Sequence, residues 1–419
     1  VIDPHEAGAP PRCTGLRRIT DLGPQEFATA WGREPRHVPA QTLWPQGTMS
    51  RGAGFVDLLD TAAVDELLSL HGLRAPFLRV ARDGQTLADG EFTRGGGVGA
   101  GVTDQLDDTA LLRLFADGHT LVLQGLHRTH PPVLRFAQDL AADLGHPVQV
   151  NAYVTPPQSR GFAAHYDVHD VFVLQTGGDK HWHLHRPVHV DPLRDQPWQD
   201  RRDAVAEAAE GEAHLEVTLR PGDVLYIPRG WLHSATALGG VSTHLTVGVH
   251  VWHRGHLAEA VLDEARRAVA ARPDQRTSLR PGVDVADPAD LADDLAAVRA
   301  ALLEAVAAVD EAVVVDRLAA RARAAQRPAP ISPVATVESL ADGPEGLAVA
   351  PRAHLRARVE PSPEGALLVS RAGRLALDPS EAEVVTDWLT ADEPAVLDPQ
   401  LTRRLVVAGV AVPAPRPPA

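Results

Sequence analysis

Short runs of alternating apolar and polar residues, separated by Pro and Gly turns, fill the middle of the chain from residue 148 to about 251. Residues 149–155, 171–175, 181–185, 216–219, 224–227 and 243–250 each read as a strand. Such a series of short strands with turn signals predicts an antiparallel β-sandwich or barrel. Upstream, the period is helical over 24–31, 61–70, 109–116 and 132–144, with short strands at 77–80 and 120–124. Leu67, Leu68 and Leu70 mark the apolar side of the second helix, and Arg33-Glu34-Pro35 stops the first.

Beyond Gly255 the chain turns alanine-rich and helical, over 257–271, 288–303 and 308–324. Small residues there allow close helix approach, within the chain or across a dimer. A Pro-rich linker begins at 327, and a small unit follows at 346–413. Its strands at 365–370 and 374–377 flank a tight turn at Arg371-Ala372-Gly373, before a helix at 379–389 and a helix or strand at 400–407. This unit reads as winged-helix-like. The polar, Pro- and Gly-rich start, 1–15, reads as a loose arm, and 414–419 as a disordered tail.

A length of 419 residues fits two or three domains. No apolar run approaches the ~20 residues that cross a bilayer, so no membrane partner is expected. The formal charge of −15 disfavours bulk binding to nucleic acid or anionic lipid. Residues 346–413 hold 7 Arg against 9 acids, with no basic stripe, so a structural or protein-contacting role is expected there and direct DNA binding is not. A lone cysteine, Cys13, and a start unlike a signal peptide lead to the expectation of a cytoplasmic protein. Gly95, Gly97 and Ala100 fit a G-x-G-x-x-A spacing, but no strand precedes them, so 94–101 reads as a flexible loop.

The chemistry concentrates in the β-rich segment. In His165-Tyr166-Asp167, strand alternation puts His165 and Asp167 on one side. Further on, the Pro221-Gly222-Asp223 turn, an apolar strand and a Pro228-Arg229-Gly230 turn lead to His233. Two strands of one barrel could bring His165, Asp167 and His233 together. Two imidazoles and a carboxylate on one face of a metal form the ligand set of non-haem Fe(II) oxygenases, with positions left open for a co-substrate and O₂. Among 20 histidines an isolated H-x-D is more often without function. A second copy, His189-Val190-Asp191, lies between Pro187 and Pro192 and reads as a loop. His181, His183 and His185 share a strand face and could bind metal or face solvent.

All the basic residues but one are arginine, and the exception is Lys180. Alternation places it with Trp182 and Leu184, toward the interior. A buried ammonium is costly unless an anion pairs with it. A dicarboxylate bound to the iron would supply that anion at its far end; a structural lysine at a strand edge is the plainer alternative.

The block from Asn151 to His250 resembles the JmjC-domain 2-oxoglutarate oxygenases, and among them the ribosomal oxygenases, which are cupin-like protein hydroxylases. The resemblance is carried by Asn151-Ala152-Tyr153-Val154-Thr155-Pro156, by Gly161 with His165-Tyr166-Asp167, and by Phe172-Val173-Leu174-Gln175 with Gly178, Lys180 and Trp182. It continues through Arg186-Pro187, the Pro221 to His233 element and Ser242-Thr243-His244-Leu245-Thr246. It implies an α+β chain built on a double-stranded β-helix (the cupin/JmjC jelly roll), with a helical dimerisation segment and a small C-terminal winged-helix-like domain. The implied boundaries are 1–255 catalytic, 256–326 dimerisation, 327–345 linker and 346–413 winged-helix-like.

The resemblance further implies that His165, Asp167 and His233 bind Fe(II), that Lys180 holds the distal carboxylate of 2-oxoglutarate, and that Asn151 and Tyr153 line the same pocket. The implied reaction is hydroxylation of a side chain of a protein or peptide partner, with Arg or His of a ribosomal protein as the specific expectation; the expected assembly is a homodimer. Oxidation at a carbon attached to nitrogen would give demethylation instead. Two other functions compete: a 2-oxoglutarate oxygenase of a small molecule or biosynthetic peptide, and a non-enzymatic cupin binding module. Two positions depart from the family. Val168-His169-Asp170 follow the H-x-D where acidic residues are frequent, and Gly248 stands where some members carry a small hydroxyl residue.

Overall fold

The computed structural model describes residues 15–44, 53–82, 84–157, 159, 163–341, 343, 345–363 and 365–414. Most of the N-terminal arm with Cys13, Gly161 of the motif string and nearly all of the C-terminal tail lie outside the described residues. The chain divides into two compact units, one ending at Val251 and the other beginning at Trp252. No helix among the described residues is long and apolar enough to cross a membrane.

The first unit is built on a nine-stranded antiparallel sheet. Its strands are β1 (Arg36–Val38), β2 (Leu78–Arg82), β3 (Gln85–Thr86), β4 (Thr120–Leu123), β5 (Val148–Thr155), β6 (Asp170–His185), β7 (Leu215–Leu219), β8 (Val224–Ile227) and β9 (Leu232–Val249). The order runs β1-β8-β6-β9-β5-β4-β2-β3, with β7 on the free side of β6. In β5 the alternation sorts two faces. Val148, Val150, Ala152 and Val154 are buried in a core shared with Val133, Phe136 and Leu140 of the helix Pro131–Leu144. Asn151 and Tyr153 are left on the opposite face. That helix stops where Gly145 takes a left-handed φ of 70°.

The long strands β6 and β9 set the geometry. The expected strands 171–175 and 181–185 are one strand of 16 residues, and 243–250 is the second half of an 18-residue strand. The two run antiparallel along their whole length, with an irregularity between Leu238 and Thr243. The first half of β6 takes β8 on its other edge, and the second half takes β7. Gly178 lets the chain continue through the junction: at φ 59° it approaches the Val241 carbonyl so closely that a Cβ would lie 2.1 Å from its oxygen. Elsewhere the pattern reading shifts in detail. The first helix is a single turn, Pro24–Phe27. Leu70, expected on an apolar face, is the C-cap of the helix Thr61–Ser69 and points to solvent.

The second unit holds helices at Arg254–Ala271, Ala292–Ala307 and Glu311–Ala325. The stretch read as a linker, 327–345, carries a further helix, Pro333–Ala341, because proline suits the first helical turn and Leu340 packs into the C-terminal core. That core gathers Val349, Leu355, Leu368, Leu377, Val385, Trp388, Leu401 and Leu405. Around it lie the hairpin pair β11 (Arg358–Ser362), β12 (Gly365–Ser370) and β13 (Gly373–Leu377), and a second small sheet in which β10 (Ala348–Pro351) lies between β14 (Ala395–Val396) and β15 (Ala411–Pro413). The helices Pro379–Ala391 and Pro399–Val407 complete the unit, each capped by an aspartate, Asp378 or Asp398.

Candidate metal and co-substrate site

His165 and Asp167 lie in the connection between β5 and β6, and His233 is the second residue of β9. A bridge between the two histidines sets the local register, with His165 N donating to His233 O and His233 N to His165 O. Tyr166, between the two ligand candidates, points the other way: it is buried against Val205 and Leu232, and its hydroxyl donates to Gln196 O. The Pro228-Arg229-Gly230 turn is clamped by the start of β6 and by the connection just before it. Arg229 N donates to Asp170 Oδ1 at 3.1 Å and Gly230 N donates to Asp167 O at 3.0 Å.

The donor atoms of His165, Asp167 and His233 all lie within 4.8 Å of one another. The His233 Nε2 is 3.7 Å from Asp167 Oδ2, and the two imidazole centroids are 4.4 Å apart. Each histidine has its Nδ1 against a carbonyl, His165 with Ala163 O at 2.8 Å and His233 with Trp231 O at 3.1 Å. Only a protonated nitrogen can donate there, so both rings are assigned the tautomer that leaves Nε2 with a lone pair for a metal. Burial, with His165 nearby, outweighs the attraction of Asp167 and lowers His233 to about 4. Burial alone would raise Asp167, but the charges of His169, His233, His165 and Arg79 bring it below the usual carboxylate range. A neutral His233 imidazole beside an ionised Asp167 carboxylate is the state that a divalent ion requires of these two ligands.

The same cavity is lined further in by Lys180, Trp182, Tyr153, His244 and Thr246. Lys180 is buried, and desolvation lowers its amine to about 7. Its Nζ donates to Thr155 Oγ1 at 3.2 Å, and no carboxylate pairs with it among the described residues. His244 stacks flat on Tyr153 with centroids 5.0 Å apart and meets Trp182 edge-on. Its Nδ1 is buried with no hydrogen-bond partner, and burial next to Lys180 holds the ring well below the usual histidine range. Burial pushes Tyr153 up to about 12, against the Arg79 guanidinium that hydrogen-bonds it.

The residues expected from sequence thus fall into two groups. His165, Asp167, His233, Lys180 and Tyr153 line one cavity. Asn151 turns its amide oxygen to the Gly125 N–H at 3.0 Å, tying β5 to the start of the short helix Leu126–Thr129 that follows β4. The second H-x-D is spent on a turn: Asp191 has a left-handed φ of 51° and pairs with Arg229, while His189 contacts Gln196. Sequence reasoning gave no role to His244 or Arg79. Strand alternation with Thr246, opposite Tyr153, could have found the former; Arg79 is brought in from β2 by topology alone. The two departures from the family pattern meet each other, since a Cβ at Gly248 would lie 3.1 Å from His169 Nε2. His169 occupies the room that a side chain at 248 would need.

Residues 128–257 match the JmjC domain family. The chain therefore carries a JmjC domain, on a cupin-like fold of mixed helix and sheet. The chain is 38% identical over 159 residues to ribosomal oxygenase 1 of Rattus norvegicus, covering 37% of this chain and 26% of that protein. It is 43% identical over 101 residues to the bifunctional lysine-specific demethylase and histidyl-hydroxylase NO66 of Culex quinquefasciatus, covering 24% of this chain and 15% of that protein. The chain thus spans about a quarter or less of these relatives. Among solved structures, the Escherichia coli ribosomal oxygenase YcfD, in complex with cobalt and 2-oxoglutarate, superposes with a TM-score of 0.52 at 16% identity, over 94% of this chain and 98% of that one. The relatives that the chain is similar to thus include ribosomal oxygenases, the group that the motif string resembles.

Proposed function

We propose that this chain is an Fe(II)- and 2-oxoglutarate-dependent oxygenase that hydroxylates a side chain of a protein, with a ribosomal protein as the expected partner. One observation carries the reading: a His165–Asp167–His233 cluster shares one cavity with a buried Lys180 that no carboxylate neutralises among the described residues. The residues fit the groups. Two imidazole nitrogens and a carboxylate suit ferrous iron, and the buried Lys180 ammonium with the unpartnered His244 Nδ1 suits the far carboxylate of 2-oxoglutarate. When bound, iron and 2-oxoglutarate supply the oxidant: O₂ is consumed, 2-oxoglutarate leaves as succinate and CO₂, and one oxygen atom enters a substrate C–H bond.

The protein's own part is geometric and electrostatic. Ala163 O and Trp231 O fix the imidazoles through their Nδ1 hydrogens. Lys180, kept dry beneath Trp182, orients the dicarboxylate and takes up a proton as the anion arrives. Arg79 holds the Tyr153 hydroxyl, on whose ring His244 rests. The relatives' names, which include histidyl-hydroxylase and ribosomal oxygenase, support a protein substrate.

Three further elements belong to this reading. A homodimer through the helix Ala292–Ala307 is supported by Leu295, Val298, Leu302 and Val306, which recur at helical spacing and stay more than a third exposed. Residues 346–413 serve as a winged-helix-like structural or protein-contacting domain. A cytoplasmic location rests on the single cysteine. Incubation with Fe(II), 2-oxoglutarate and ribosomal proteins is expected to release succinate and add one oxygen atom to one protein. Succinate release without Fe(II), or none with it, rejects the proposal. Labelling confined to a small molecule would move the substrate to another class. Sedimentation is expected to show a dimer that Leu302→Asp dissociates.

A further inference from the structure

We propose that His181, His183 and Glu216 form a second metal site, on the outer wall of the barrel, for a divalent transition ion such as Zn(II) or Co(II) that ties β7 to β6. It is separate from the catalytic cluster. Along β6, Lys180, Trp182 and Leu184 are buried, whereas the intervening His181 and His183 belong to the partly exposed face.

Register brings the ligands together. On β7, Glu216 stands directly opposite His183, and Thr218 opposite His181. The donor atoms of the three residues lie within 4.8 Å of one another. His183 Nδ1 is 3.3 Å from Glu216 Oε1, and the two imidazoles meet edge to face with centroids 4.5 Å apart. His181 Nδ1 contacts Thr218 Oγ1 at 2.9 Å, which fixes that ring and leaves Nε2 for an ion, as outer hydrogen bonds do for metal-bound histidines. Small side-chain rotations would bring the donors to the roughly 2.0–2.2 Å that such ions adopt.

The donor set selects the ion. Imidazole nitrogen with one carboxylate favours zinc, cobalt, nickel or copper over magnesium or calcium. The side chains of His183 and Glu216 are 40% and 58% exposed, so water can fill the remaining positions. His185 does not join them: it is buried at the strand end, beside a cleft formed with Arg186 and His214. The site has a structural consequence. Among the described residues β7 pairs only with β6 within the sheet, so an ion held by directly opposed residues would fasten an edge strand and brace the stretch that carries Lys180.

Titration of the full chain with Co(II) under anaerobic conditions, counting bound equivalents by dialysis, tests the site. Two equivalents are expected. His183→Ala should remove one, Glu216→Gln should weaken it at least tenfold, and both should diminish the rise in thermal midpoint that cobalt produces. Asp167→Ala should affect only the other equivalent, whose visible spectrum alone responds to 2-oxoglutarate, and His214→Ala, in the cleft beside His185, should change neither. Glu216→Gln is near-isosteric and exposed, so it reports on the site even if His183→Ala folds poorly. A single equivalent in the wild type, or a second one untouched by both His183→Ala and Glu216→Gln, overturns the proposal. An outer equivalent that persists while the triad binds nothing supports this site and sinks the proposed activity instead.

Discussion

His165 and His233 exchange both backbone hydrogen bonds, at 3.2 and 2.8 Å, although they come from distant parts of the chain. This bridge, more than the sequence motif, makes the two imidazoles neighbours. A slip of one residue in β9 would turn His233 to the other face. Because the bridge is made by main chain, His233→Ala should keep the fold while removing a ligand. Affinity for the metal equivalent whose spectrum responds to 2-oxoglutarate is expected to fall at least ~100-fold, with turnover lost and far-ultraviolet dichroism unchanged. Retention of that equivalent at wild-type strength would remove His233 from the site.

Lys180 is the point at which function opposes stability. Its amine is buried against Thr155 and Trp182 without a carboxylate. Lys180→Met keeps the length and removes the charge. The unliganded protein is expected to gain about 1–4 kcal/mol at neutral pH, while 2-oxoglutarate binding is lost. Denaturant unfolding and calorimetry read the two effects separately. A destabilised variant that still binds 2-oxoglutarate would contradict the assigned role.

The same amine gives a pH signature. In the unfolded chain it keeps its proton to about 10.5, and in the unliganded fold only to about 7. Between these values the unfolded state binds more protons, so the Lys180 contribution to stability improves as pH rises through that window and is most unfavourable below about 7. Binding of the dicarboxylate needs the charged form. Affinity for 2-oxoglutarate is therefore expected to be level below about 7 and to fall toward tenfold per unit above it, with net proton uptake. Calorimetry in buffers of different ionisation heat checks the uptake, and Lys180→Met should abolish the stability slope.

The local part of this site was legible in the sequence. H-x-D alternation, the Pro-Gly-Asp turn to His233 and a single lysine on an inward-facing register are short-range patterns, and the resemblance rests on them. What escaped depends on long-range placement or backbone conformation. Gly177-Gly178 reads as a break between two strands, but a left-handed glycine lets β6 run through. Pro333 reads as part of a linker, yet it opens a helix whose Leu340 is drawn into the C-terminal core. Asn151 shares a face with Tyr153 but spends its side chain on Gly125 N, a partner that no motif specifies. Arg79 reaches Tyr153 only because β2 and β5 both flank β4.

Gly178 ties the fold to the site two residues ahead of Lys180, and two glycines near the same bend separate the causes. At Gly178, φ is 59° and a Cβ would lie 2.1 Å from Val241 O, which is backbone and cannot rotate away. At Gly239, φ is 68° but nothing lies within 4 Å of the added carbon. Gly239→Ala should therefore cost only the left-handed strain, about 1 kcal/mol. Gly178→Ala should cost about 2 kcal/mol more, since β6 and β9 must move apart at their junction. That separation displaces the strand carrying Lys180, so 2-oxoglutarate affinity is expected to drop at least several-fold in Gly178→Ala and to stay unchanged in Gly239→Ala. Equal losses of stability in the two variants would show that the close approach to Val241 does not matter. Unchanged affinity in Gly178→Ala would show that Lys180 is placed independently of the bend.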